Sequence, residues 1–184
     1  NLRFPEFKGE WKEAKIGNIL SIGNGRDYKH LSPGNIPVFG TGGYMTSVND
    51  YLYDGATTFI GRKGTINKPF YFNGKFWTVD TLFYTQKFKE ISPEFTYCLF
   101  QTINWLMYNE ASGVPSLSKA TIEKIKVHIP SIVEQNRISK LLFAVEQRIA
   151  TQNKIIEDLK KLKSAIVDIL YSKVDGILYS YRDL

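Results

Sequence analysis

Between Ser131 and Lys173 the chain has neither glycine nor proline, and its aliphatic residues keep a coiled-coil spacing. Alternating steps of four and three visit Ile138, Leu142, Val145, Ile149, Gln152, Ile156, Leu159, Lys163, Ile166 and Leu170. All but Gln152 and Lys163 are aliphatic, so a helix here carries an apolar seam. Such a helix cannot bury its stripe on itself; it needs another long helix alongside. The spacing predicts a dimerisation rod over residues 131–174, a globular domain over residues 1–130 mounted on it, and a short tail, 175–184. Ser131-Ile132-Val133-Glu134 reads as a capping box that starts the rod sharply and fixes its direction. Asp175-Gly176 reads as its end. Gln152 and Lys163 would penalise misaligned pairings and so set register.

The globular part has the apolar content for a core. Of the 184 residues 43% are hydrophobic, with 12 Phe, 11 Tyr and 3 Trp, which excludes a disordered chain. The single cysteine, Cys98, excludes a disulfide framework and fits a reducing cytoplasm. No run approaches the roughly 20 apolar residues of a membrane helix, and NLRFPEFKGEW is not a signal peptide, so no membrane partner is expected. The net charge of +6 favours a polyanionic partner without specifying one.

Trp11 to Ile16 reads as a first strand, Gly17 to Ile22 as a turn of helix, and residues 21–37 as a long surface loop. From Ile36 to Gln86 the runs IPVF, YMTSV, TTFIG, PFYF, KFWTV and TLFYT are short and β-branched or aromatic. Asn73-Gly74 is the best local hairpin signal. These predict an α+β domain whose bent, mostly antiparallel sheet forms a partial barrel. Ser92-Pro93-Glu94 opens a helix expected to reach Tyr108, with Phe95, Leu99, Ile103 and Leu106 on one face. Ser118 caps a short helix, and Val127 and Ile129 flank His128 in a final strand.

Catalytic look-alikes fail on context. Gly40-Thr41-Gly42-Gly43 with Asn67-Lys68-Pro69-Phe70 echoes an amino-methyltransferase, but no helical period follows the glycines. Gly61-Arg62-Lys63-Gly64-Thr65 lacks Walker spacing. Two distant histidines make no zinc site, and the acid-x-Lys triplets at Glu6, Glu10 and Glu13 lack a paired aspartate. No metal ligand, catalytic residue or cofactor is therefore expected in this chain. What recurs is a loop composition suited to DNA: glycine for close backbone approach, Arg, Asn and Lys for base edges, Lys, Ser and Thr for phosphates. The candidates are Asn24, Arg26, Lys29 and His30; Thr41 and Tyr44; Arg62, Lys63, Thr65 and Lys68; Lys75 and Trp77; and Ser116, Ser118 and Lys119.

The sequence resembles the specificity subunits of type I restriction–modification systems over nearly its whole length. The matching blocks are Phe4-Pro5-Glu6-Phe7 with Glu10-Trp11, Ile36-Pro37, Gly42-Gly43, Thr58 to Thr65, Trp77 to Thr81, Ser116 to Pro130, and Glu134-Gln135-Asn136-Arg137-Ile138. The resemblance implies a target-recognition domain that reads half of a split site in double-stranded DNA. It also implies methylation subunits that carry S-adenosylmethionine, and restriction subunits that use ATP and Mg. Family members have two recognition domains and two antiparallel helices. This sequence has one of each, as the second half of a longer subunit, a natural half-subunit or a truncation would. A homodimer or a missing half would then complete it. The rival readings are a coiled-coil scaffold with a protein-binding head, and a DNA-modifying enzyme such as a nuclease.

Overall fold

The computed structural model describes the backbone of residues 3–180 and the side chains as far as Tyr171. It divides into two compact units, residues 1–140 and 141–184. The division falls beyond Pro130, so the first turns of the long helix belong with the globular unit.

In unit 1, strand β1 (Lys12–Lys15) runs into a single helical turn, α1 (Ile16–Ile19). Strands β2 (Ser21–Asn24), β3 (Pro33–Gly40), β4 (Gly43–Val48), β5 (Tyr53–Gly61), β6 (Phe70–Thr78) and β7 (Leu82–Gln86) follow. They form one sheet in the order β2-β7-β5-β6-β3-β4, antiparallel except where β3 meets β6. Helix α2 (Pro93–Thr102), a 3-10 turn (Trp105–Tyr108), α3 (Lys119–Lys124) and β8 (Lys126–Ile129) complete the unit, with β8 antiparallel to β1.

The sheet has to coil. The pairing of β6 with β5 ends where Phe76 faces Tyr53 at the start of β5, whereas β7 begins where Leu82 faces Gly61 at its end. Those ends of β5 are about 26 Å apart along a flat strand. The link from Thr78 to Leu82 reaches only about 14 Å. Curling closes the gap and brings the Phe76 and Tyr84 rings to 5.4 Å. A cluster of Phe39, Tyr53, Phe59, Phe70, Phe72, Phe76 and Tyr84 packs together in this sheet. A separate core gathers Ile16, Ile22, Phe95, Phe100, Trp105 and Ile122 from the helices and flanking strands.

The expected α+β class with a bent, mostly antiparallel sheet is what the chain adopts. Several local expectations are corrected. Residues 21–37 are not all loop: β2 and the start of β3 lie in them, and Ile22 and Gly23 are buried. Asn73-Gly74 is no hairpin. It lies inside β6, where Gly74 faces Gly55 at a φ of +134°. The real connection from β5 to β6 is 62–69, and tertiary pairing overrides the local turn preference. The helix from Pro93 stops at Thr102, and Leu106 is exposed while Trp105 is buried and donates to the Phe100 carbonyl at 2.8 Å. The caps hold: Ser92 Oγ accepts from Phe95 N–H and Ser118 Oγ from Thr121 N–H, both at 3.1 Å.

The capping box at Ser131 is half made. Ser131 Oγ accepts from Glu134 N–H at 3.4 Å, but the Glu134 carboxylate does not reach back. It is buried and takes Arg3 in a two-point ion pair at 2.6 and 2.7 Å, with Trp11 Nε1 donating at 3.3 Å. Arg137 lies over the Phe4 ring at 5.5 Å. The Phe4–Trp11 and Glu134–Ile138 blocks, far apart in sequence, are thus one contact. The hydrogen bonds from Arg3, helped by Trp11, outweigh burial and hold the Glu134 carboxyl below its usual range. A depressed carboxyl contributes stability above its unfolded value, about 4.3, and loses it as pH falls through the folded value. Wild-type thermal stability is therefore expected to fall more steeply below about pH 4 than that of Glu134→Gln, as scanning calorimetry across pH would measure.

In the second unit the helix continues; α4 as a whole spans Ile132–Ser180. It passes through Asp175-Gly176, correcting the expected stop: one glycine inside a helix costs about 1 kcal/mol, too little to end it alone. Residues 181–184 of the expected tail lie outside the described residues. Leu142, Val145, Ile149, Ile156, Leu159, Ile166 and Leu170 are all exposed. So are Leu141, Ile155, Leu162 and Ile169 on the adjoining heptad position, which makes the apolar stripe wider than the seam alone. Ile138 is the exception: it packs on the unit 1 core instead of joining the seam.

Candidate functional site

Four connections meet at one place in unit 1, and backbone hydrogen bonds hold them there. Arg26 N–H donates to the Thr78 carbonyl at 2.8 Å, placing the loop after β2 on the β6–β7 turn. Arg62 N–H donates to the Thr81 carbonyl of the same turn at 2.8 Å. Gly64 N–H donates to Pro115 at 2.8 Å and Leu117 N–H to Arg62 at 2.9 Å, drawing in the 109–118 loop. That loop is braced internally by Asn109, whose side-chain oxygen accepts from Ala111 and Ser116 N–H at 3.1 and 2.9 Å. Gly61 is required in this construction, because a Cβ there would stand 2.2 Å from the Thr65 carbonyl oxygen.

The result is a cavity of about 410 Å³ lined by Asn24, Arg62, Lys63, Phe83, Glu110, Ser116, Leu117, Ser118 and Lys119. Six of the fifteen residues singled out in the sequence converge on it: Asn24, Arg62, Lys63, Ser116, Ser118 and Lys119. The Arg62 guanidinium lies over the Phe83 ring at 5.8 Å and donates to the Asp80 carbonyl at 3.3 Å. Among the described residues no carboxylate forms an ion pair with Arg62 or Lys63, whereas Lys119 pairs with Glu123 at 3.6 Å. The wall is cationic and hydrogen-bonding, with Phe83 and Leu117 as its apolar members.

The other candidates lie elsewhere. Arg26, Lys29 and His30 are exposed on the loop after β2, and Thr41 Oγ1 is close to Gly64. Thr65 and Lys68 are exposed on the 62–69 connection. Tyr44 is exposed on the edge strand β4, its hydroxyl 3.1 Å from Ser47 Oγ. Lys75 sits over the Tyr51 ring at 4.9 Å, and nothing brings it to the cavity. Trp77 is a correction: it is buried, its indole N–H donates to the Arg26 carbonyl at 3.0 Å, and it braces the loop after β2 from beneath. Glu110, Phe83 and Leu117 are the lining residues that were not among the candidates, Leu117 standing between two that were. Glu110 and Phe83 stand in no motif, and only the fold places them there. Among the described residues no three His, Cys, Asp or Glu side chains are grouped to hold a metal, and no helix is long and apolar enough to cross a membrane.

Residues 8–161 match the model of the type I restriction modification DNA specificity domain. The chain belongs to this family. Among curated relatives, the specificity subunit of the type I restriction enzyme EcoprrI from Escherichia coli is 24% identical, aligned over 92% of this chain and 45% of that one. The MjaVIII specificity subunit from Methanocaldococcus jannaschii is 31% identical over 66% of this chain and 27% of its own length. In three dimensions the fold matches a type I restriction–modification S subunit from M. genitalium with a TM-score of 0.68. That match is 22% identical and covers 85% of this chain and 44% of the subunit, so it speaks for the fold alone. The chain spans less than half the length of each of these relatives. They are named as specificity subunits of type I restriction enzymes, and the chain is placed with them by family.

Proposed function

We propose that the globular unit reads one half of a bipartite site in double-stranded DNA, as the recognition part of a type I restriction–modification assembly. The observation that carries this reading is the convergence of Arg62, Lys63, Lys119, Asn24, Ser116 and Ser118 on one cavity wall in a chain of this family. Those residue types suit phosphate and base-edge contact, and the loops that bear them are tied to a rigid sheet. Catalysis belongs in this reading to partners: methylation subunits with S-adenosylmethionine, and restriction subunits with ATP and Mg. The exposed stripe from Leu142 to Leu170 calls for a partner helix. A second copy of the chain in antiparallel pairing, or the other half of a longer subunit, would supply it.

The test is DNA binding by the chain assembled with its methylation subunits, together with sequencing of methylated sites in cells expressing them. The expected result is a bipartite methylated motif and an affinity that falls linearly in log–log against salt. A head without salt-dependent DNA affinity even in the assembly would favour a scaffold instead. Sedimentation should show a dimer at micromolar concentration; a monomer alone would remove the homodimer.

A further inference from the structure

We propose that Glu110 is a specificity-determining residue, a carboxylate that accepts a hydrogen bond from the exocyclic amino group of cytosine or adenine. The proposal rests on the DNA-reading role given above and adds the chemistry of one contact to it.

A carboxylate is an odd member of this wall. Glu110 lines the cavity with Arg62, Lys63 and Lys119, and a surface built only to hold phosphate gains nothing from a negative charge there. DNA offers phosphate oxygens and, in the major groove, base-edge acceptors. The donors it presents there are the amino groups of cytosine and adenine. A carboxylate facing the groove is therefore complementary to those amines and repelled by the rest. Ser118 N–H donates to Oε1 at 3.2 Å and holds the carboxylate in place. Hydrogen bonds from the Thr121 side chain first, and then from the Ser118 side chain and backbone, hold the carboxyl below its usual range, so it is ionised at neutral pH. They also leave it capacity, because a carboxylate has about four acceptor positions. Glu110 is exposed, and its backbone is held by its own N–H to Ser116 at 3.0 Å. The acceptor is thus oriented, charged and open to solvent beside the cations.

The alternative role is purely structural, an anchor for the start of α3, and the two separate cleanly. In Glu110→Gln the amide oxygen still accepts from Ser118 N–H, while the amide nitrogen presents donors where an acceptor stood. The experiment is methylated-motif sequencing and competition binding of the assembled complex, with thermal unfolding alongside, for wild type, Glu110→Gln and Glu110→Asp. The expected result is discrimination at one base pair of the half-site reduced roughly 10-fold or more, with the melting temperature little changed. Glu110→Asp, which keeps the charge but draws it back by one methylene, should weaken the same position. An unchanged motif in both variants, whatever happens to stability, overturns the proposal and leaves Glu110 as an anchor. If Arg62→Ala and Lys63→Ala still impair binding in that case, the DNA-reading role stands without it. If they do not, the wall as a whole lies off the DNA, and any reading surface is elsewhere on the unit.

Discussion

Replacing Gln135 by alanine is expected to destabilise the globular unit by about 3 kcal/mol or more. Gln135 is fully buried, and its amide serves three backbone groups from different segments. Its oxygen accepts from Ser92 N–H, and its nitrogen donates to the Glu90 and Pro130 carbonyls, each at 2.9 Å. Alanine leaves all three without that partner, and each buried orphan costs about 1–3 kcal/mol. Ser92 is also the cap of α2, so the loss reaches the start of a second helix. Gln135→Glu should be nearly as harmful despite its shape, because it removes both donors and buries a charge between two carbonyl oxygens. Urea unfolding of the chain would measure this, read as a shifted midpoint at constant slope. A loss below about 1 kcal/mol for alanine would mean that water takes over the three partners.

That junction shows where sequence reasoning reaches its limit. A helix start at Ser131 was legible because capping chemistry is local. What Glu134 and Gln135 do was not, because their partners are Arg3, Trp11, Ser92, Glu90 and Pro130, scattered through the fold. The sheet follows the same rule. Its β-branched and aromatic runs were readable, since period and composition are properties of a segment. That PFYF and KFWTV make one strand was not, since pairing with β5 outvotes an Asn-Gly turn signal worth little in isolation. The parallel contact of β3 with β6 lies beyond local signals altogether.

The cavity was legible in its chemistry and illegible in its membership. Arg62, Lys63, Ser116 and Lys119 stand out because cations and hydroxyls beside glycine and proline are unusual in a core. Trp77 has the same surroundings in sequence, yet it is buried, and only the Arg26 carbonyl above its indole reveals its part. Glu110 was passed over for the opposite reason: a glutamate in a polar loop is unremarkable until the fold sets it among cations.

Arg62→Ala is expected to weaken sequence-specific binding by the assembled complex by about 1–3 kcal/mol, roughly 5- to 150-fold, and to relax one position of the half-site. The reason is orientation as well as charge. The guanidinium is laid against the Phe83 ring and tethered to the Asp80 carbonyl, while its backbone is held by Thr81 and Leu117. Little side-chain freedom is then left to lose on binding, and the remaining donors keep the planar fork that matches a guanine edge. Arg62→Lys should rescue the charge but not the position-specific discrimination, because an ammonium has no fork and stacks poorly on the ring. Lys63→Ala, by contrast, should weaken all sequences alike and reduce the salt slope by about one. Fold stability should change little in any of the three, since Arg62 gives up one hydrogen bond to a carbonyl and a ring contact at a partly exposed site, and among the described residues the Lys63 side chain makes no hydrogen bond. Equal losses on specific and random DNA for Arg62→Ala would make Arg62 a phosphate contact and pass the base reading to another residue of the wall. No loss for either alanine variant would place the DNA elsewhere on the unit.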